Sequence, residues 1–78
     1  MKDFLTYLVS QIVDKPDAVA VEEKVGDQGI TNLIVSVDPE DMGKVIGKSG
    51  RIIKALRDLV RVLAIKKNLR VNVLLQEE

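Results

Sequence analysis

Three observations point to an α+β fold of order α-β-β-α-α-β, with a three-stranded mixed sheet carrying three helices on one face. Apolar residues recur at helical spacing in two long segments and alternate with polar ones in three others. A turn at Asp27-Gln28-Gly29 joins the first two alternating runs, a connection short enough for an antiparallel hairpin. The last alternating run follows a long helical segment, and strands joined by a helical crossover lie parallel. At 78 residues, the chain is expected to be a single domain.

Residues 2–14 are expected to form the first helix, with Phe4, Leu5, Leu8, Val9, Ile12 and Val13 on one apolar face. Asp3 lies near its positive end. Lys15-Pro16 closes it, because a residue before proline is pushed out of the α region. Residues 18–25 read as a strand with Val19, Val21 and Val25 on one face and Glu23 as the exception. Residues 30–37 read as a second, with Leu33, Val35 and Val37 on one face and Asn32, Ile34 and Ser36 on the other.

Asp38-Pro39-Glu40-Asp41 carries the signals of a helix start: a capping carboxylate, proline at the first position, and acids at the positive end. A short helix is expected over 39–46. A glycine turn at 47–50 then leads into a long helix over 51–66. Its buried face would hold Ile52, Ile53, Leu56, Leu59, Val60, Leu63 and Ala64, with Asn68 as the stop. Residues 70–75 form the last strand, where Val71, Val73 and Leu75 alternate against Asn72. Gln76-Glu77-Glu78 is expected to be a frayed tail.

Composition narrows the function. The chain has no Cys and no His, which excludes disulfides, imidazole acid–base chemistry and the usual ligands of structural zinc. No catalytic constellation, metal site or cofactor is expected, so an enzyme is disfavoured. No apolar run approaches a membrane span, and Asp3 interrupts any leader-like start, which makes a cytoplasmic protein the default expectation. Net charge is zero, but its distribution is not even. Residues 1–40 hold three Lys against eight Asp and Glu; residues 41–78 hold nine Lys and Arg against four. The halves therefore carry −5 and +5. A basic face with an acidic back suits oriented binding of a polyanion.

The basic half is organised around Val45-Ile46-Gly47-Lys48-Ser49-Gly50-Arg51-Ile52-Ile53. Glycine tolerates φ > 0, so a Gly-x-x-Gly corner between two helices makes a tight, exposed turn that another backbone can approach. Lys48 lies inside the turn and Arg51 follows it. Gly43 to Ser49 also reads G-x-x-x-G-K-S, but a phosphate-binding P-loop needs four residues between its glycines, and here there are three. The glycine corner resembles that of the KH domain, whose loop is known to clamp about four backbone nucleotides. The element order resembles the type II KH fold. Asp41-x-Gly43-Lys44-Val45-Ile46-Gly47-Lys48-x-Gly50-Arg51, with Ala55-Leu56-Arg57, is similar to the KhpA family of small bacterial single-domain KH proteins. That resemblance covers nearly the whole chain. It implies an RNA chaperone or post-transcriptional regulator linked to cell shape and cell-wall homeostasis. It also implies homodimers and a heterodimer with a larger KhpB-like KH protein.

On this reading a phosphate rests on the amides of Gly47, Lys48, Ser49 and Gly50 at the start of the long helix. Lys48 and Arg51 add charge, with Lys44 and Lys54 on the approach. Such contacts fix the strand without reading sequence. Val45, Ile46, Ile53 and Ile34 are the candidate floor beneath the bases, which would be read at the edge of the second strand. Arg57 and Arg61 are read as a solvated face, Ser49 as a turn residue first, and Gly43 as a helix–strand packing glycine. The only aromatics are Phe4 and Tyr7, so base stacking on rings is not available near the loop. Weak binding by one domain follows, with multivalency through a partner. Two alternatives stay open: a protein-interaction subunit that dimerises through the same surface, and a single-stranded DNA binder.

Overall fold

The computed structural model describes residues 1–76. Helix α1 (Lys2–Ser10) is followed by a 3-10 turn at Pro16–Ala18 and strand β1 (Ala20–Val25). Strand β2 (Ile30–Ser36), a 3-10 turn at Pro39–Asp41 and helix α2 (Met42–Ile46) come next. Helix α3 (Arg51–Lys66) and strand β3 (Arg70–Leu75) complete the chain. The sheet order is β1-β2-β3; β1 is antiparallel to β2, and β3 is parallel to it. This is the α+β architecture expected, with a mixed sheet of type II KH form.

Helix α1 is shorter than the 2–14 expected from its apolar pattern. Gln11 and Ile12 form a turn, with the Ile12 amide on the Val9 carbonyl at 3.0 Å. The next free amides, of Asp14 and Lys15, donate to the Asp41 carboxylate at 3.2 and 3.0 Å. A side chain distant in sequence thus takes donors that a fourth helical turn would have used. Val13 still reaches the core, so the apolar periodicity was recording burial beyond the helix end.

Register fixes the faces of the sheet. Val21 lies opposite Val35, and Leu33 opposite Val73; all four are buried beneath the helices. Leu5 and Val9 of α1, Val45 of α2, and Ile53, Leu56 and Val60 of α3 complete that core. Val25, expected on the same face as Val21, is 74% exposed. The β1 stretch Glu22–Val25 is exposed throughout, because the helices cover the sheet only at its Val21 end.

Helix α3 ends on Asn68, which takes φ +58°. The Asn68 amide bonds the Ile65 carbonyl at 3.1 Å, and the Leu69 amide returns to Ala64 at 2.8 Å. These two bonds satisfy the last carbonyls through a left-handed cap. Gln76 is tied down rather than frayed: its amide bonds the Val35 carbonyl at 2.8 Å, and its side chain accepts from the Ser36 hydroxyl at 3.2 Å. Glu77 and Glu78 of the expected tail lie outside the described residues. Among the described residues no helix is long and apolar enough to cross a membrane.

Candidate nucleic-acid interface

The corner between α2 and α3 is built by backbone bonds. The Gly47 amide closes α2 on the Gly43 carbonyl at 2.9 Å, and the Gly50 amide reaches back to Gly47 at 3.2 Å. Gly47, Ser49 and Gly50 all take positive φ, at +76°, +56° and +74°. The two glycines are needed for different reasons. A Cβ at Gly47 would stand 2.8 Å from the Cβ of Ile52 and 2.9 Å from its amide nitrogen, so the close approach there is made by the protein's own chain. A Cβ at Gly50 would meet nothing within 4 Å. The same holds at Gly43, so the packing role expected for that glycine is not found.

Lys48 and Ser49 are exposed at the tip, and no side chain caps the amino end of α3. Lys48 and Arg51 form no ion pair with a described residue. The other two cations expected on the approach are engaged. Lys54 pairs with Asp58 at 3.1 Å, one turn along α3. Lys44 pairs with Asp14 at the end of α1. The hydrogen bond that Lys44 donates to the Asp14 carboxylate holds its ammonium above the usual pKa, partly opposed by desolvation.

The groove floor differs from the expected one. Val45 is fully buried and Ile53 nearly so, and both belong to the core. Ile46 is half-buried beside the corner. Ile34 points away from the helices: it alternates with buried Leu33 and Val35, and its register partners are Glu22 and Leu74. The second strand has no free edge either, since β1 and β3 occupy both sides. The free edge beside α3 belongs to β3. The signal was available in the chain order, because a hairpin followed by a crossover onto its second strand makes that strand central.

Arg57 and Arg61 line this edge rather than a featureless solvated face. The Arg57 Nε donates to the Val73 carbonyl at 3.1 Å. Between α3 and β3 lies a hollow of about 270 Å3 walled by Arg57, Arg61, Val71 and Val73. A second, of about 310 Å3, continues it past Ile65 and Leu69. The basic row Arg51, Lys54, Arg57, Arg61 therefore runs from the glycine corner to the sheet edge. The opposite flank of α3 carries Ile52, Leu59 and Val62, which are 37, 49 and 65% exposed. Ile52 and Leu59 were expected in the core, but α1, α2 and the sheet leave that flank uncovered.

A sequence model described as KhpA/KhpB, KH domain matches residues 2–75. The chain belongs to this KH family. It is 49% identical over 71 residues to the RNA-binding protein KhpA of Clostridium perfringens, covering 91% of this chain and 93% of that one. KhpA of Leifsonia xyli is 52% identical over 69 residues, covering 88% and 90%. KhpA of Chlamydia pneumoniae is 42% identical over 78 residues, covering 100% and 99%. Among solved structures, a variant of Aquifex aeolicus Era bound to GDP and aluminium fluoride superposes with a TM-score of 0.62 at 19% identity. That match covers 95% of this chain and 28% of Era, and the likeness is one of fold. In this KhpA/KhpB chain the glycine corner falls inside the matched span, as does the hollow beside β3.

Proposed function

We propose that this KH chain binds single-stranded RNA by its sugar-phosphate backbone at Gly47, Lys48, Ser49, Gly50 and Arg51. The observation that carries the reading is the conjunction of exposed Lys48 and Arg51, neither paired with a described residue, at an uncapped helix start. The helix dipole and the amides of Lys48 and Ser49 favour an anion there, whereas the amides of Gly47, Gly50 and Arg51 are already taken by the Gly43, Gly47 and Lys48 carbonyls. Lys44 and Lys54 are secondary contacts, because each would exchange an acidic partner for a phosphate. Ile46 is the apolar contact beside the corner. The names of the relatives, RNA-binding protein KhpA, support RNA as the ligand. The protein would act in the cytoplasm as a non-catalytic RNA chaperone or post-transcriptional regulator, with the cell-shape and cell-wall connection that the family resemblance implies. Changing Lys48 and Ser49 together to Asp should abolish binding to a short single-stranded RNA, read by fluorescence anisotropy at fixed salt, with the circular dichroism unchanged. Undiminished affinity would remove the loop from the function. A matched DNA oligomer tests the role of the 2′-hydroxyl.

A second reading is favoured by one observation: the uncovered row Ile52, Leu59, Val62 on α3. Such a stripe suits a second KH surface, either another copy or a KhpB-like partner. Weak single-domain RNA binding and dimerisation then reinforce each other through multivalency.

A further inference from the structure

We infer that the hollow between α3 and β3 takes the O6/N7 edge of a guanine, with Arg57 as the residue that sets the preference. This rests on the proposed RNA binding at the glycine corner and names the base read beside it. The Gln76 amide bonds β2 at Val35, so alternation along β3 turns the amide and carbonyl of Val73 toward the free edge. An open strand edge offers both an N–H donor and a C=O acceptor, and the acceptor is what an amino group such as adenine N6 requires. At Val73, beside Arg57, that acceptor is occupied: the Val73 carbonyl already takes the Arg57 Nε at 3.1 Å.

The same bond fixes the guanidinium plane and leaves its terminal N–H groups for a ligand. Arg61, one turn further along α3, brings a second guanidinium to the wall. Arg57, Arg61 and the Val73 amide therefore face the hollow with donors, against one open acceptor, the Val71 carbonyl, which the same alternation turns to this edge. Adenine would present its N6 donor to those donors, whereas guanine presents two adjacent acceptors that suit a bidentate arginine. At about 270 Å3 the hollow suits one base rather than a folded ligand. Arg57 lies six residues beyond Arg51, about 9 Å along the helix axis. A strand anchored at the corner can lay a neighbouring base there.

The test compares a short oligoadenylate with the same oligomer carrying one central guanine, both titrated against the intact chain by fluorescence anisotropy at equal salt. The guanine oligomer should bind at least about fivefold more tightly. Replacing that guanine by 2-aminopurine, which keeps N7 and lacks O6, should remove the advantage. Arg57→Lys keeps the charge and loses the planar fork, so it should bind oligoadenylate within about twofold of the parent and show no guanine preference. If that variant does not fold, the 2-aminopurine comparison on the parent protein decides. Equal binding of both oligomers, still lost on changing Lys48 and Ser49 to Asp, overturns the guanine site and leaves the corner standing. A preference that survives 2-aminopurine also overturns it. No binding to either oligomer overturns both.

Discussion

The Asp41 carboxylate accepts the backbone amide of Lys15 at 3.0 Å, while its other oxygen takes the amide of Asp14 at 3.2 Å. Asp41 is 2% exposed and stands at the head of α2. One buried carboxylate therefore pins the end of α1 to the segment that carries the glycine corner. Around it, Lys44 pairs with Asp14, and Lys15 pairs with Glu40 and Asp38. Asp41→Asn places an amide NH2 against a backbone donor, leaving a buried group unsatisfied. The expected loss of stability is about 1–3 kcal/mol, read by urea denaturation. A midpoint unchanged from the parent would show that the two amides find water instead.

Gly47 and Gly50 share a positive φ but differ in ψ, 175° against 16°, and in surroundings, which separates two kinds of strain. Gly50→Ala meets only the left-handed φ, a cost of about 1–2 kcal/mol. Gly47→Ala is forced into a region of positive φ and extended ψ that only glycine adopts readily, and it also collides with Ile52, whose backbone nitrogen cannot move without shifting the start of α3. It should be the more destabilising of the two by thermal denaturation. Equal midpoints would mean that Ile52 yields freely and that the extended ψ at Gly47 costs alanine no more than the left-handed one at Gly50.

Much of this arrangement was legible in the residues. The Asn68 stop, the Asp38 cap and the glycine corner are local signals, each set by one or two side chains. Asp38 does accept the Glu40 amide at 2.9 Å. What the chain did not disclose depends on distant contacts. Asp41 read as an acid at a positive helix end, yet it spends both oxygens on amides from the end of α1. Ile52 and Leu59 fit a helical apolar pattern as well as Ile53 and Leu56 do. Only the placement of α1, α2 and the sheet decides which flank is covered. Ile34 was misplaced for another reason: strand alternation sends it to the open face, opposite the groove.

The ion pairs around Asp41 give stability a defined pH dependence. Glu40, opposed by desolvation and aided by Asp38, raises the Lys15 pKa above 10.5, and Asp14 does the same for Lys44. A base whose folded pKa is raised contributes fully below its unfolded pKa, and the contribution is lost as pH rises through the folded one. These two pairs should leave stability level from neutral pH to about 10.5 and weaken it beyond. Lys15→Gln with Lys44→Gln should reduce the alkaline fall, followed by thermal midpoints across that range. An identical fall in the double variant would assign it to other groups.

The exposed row on α3 predicts a concentration-dependent dimer. Leu59→Glu or Val62→Glu places a charge in that row without touching the core, so each should shift the chain toward monomer with little change in folding. Sedimentation velocity over a range of concentrations reads this directly. A parent chain that stays monomeric throughout would deny the row this role.

The division of the cations into paired and unpaired ones should appear in the salt dependence of RNA binding. Each phosphate neutralised on a single strand adds about −0.7 to the slope of log K against log salt. Lys48 and Arg51 give up no acidic partner among the described residues, so Lys48→Ala should make the slope shallower by about 0.7 and weaken binding across all sequences. Lys44 must first leave Asp14, and the Coulombic gain on meeting a phosphate is offset by the pair it breaks. Lys44→Ala should therefore change affinity less than Lys48→Ala at every salt concentration. If the two variants lose affinity equally, the Asp14 pair is too weak to hold Lys44 back from the RNA, and the anionic strand must pass closer to α2 than the corner alone requires.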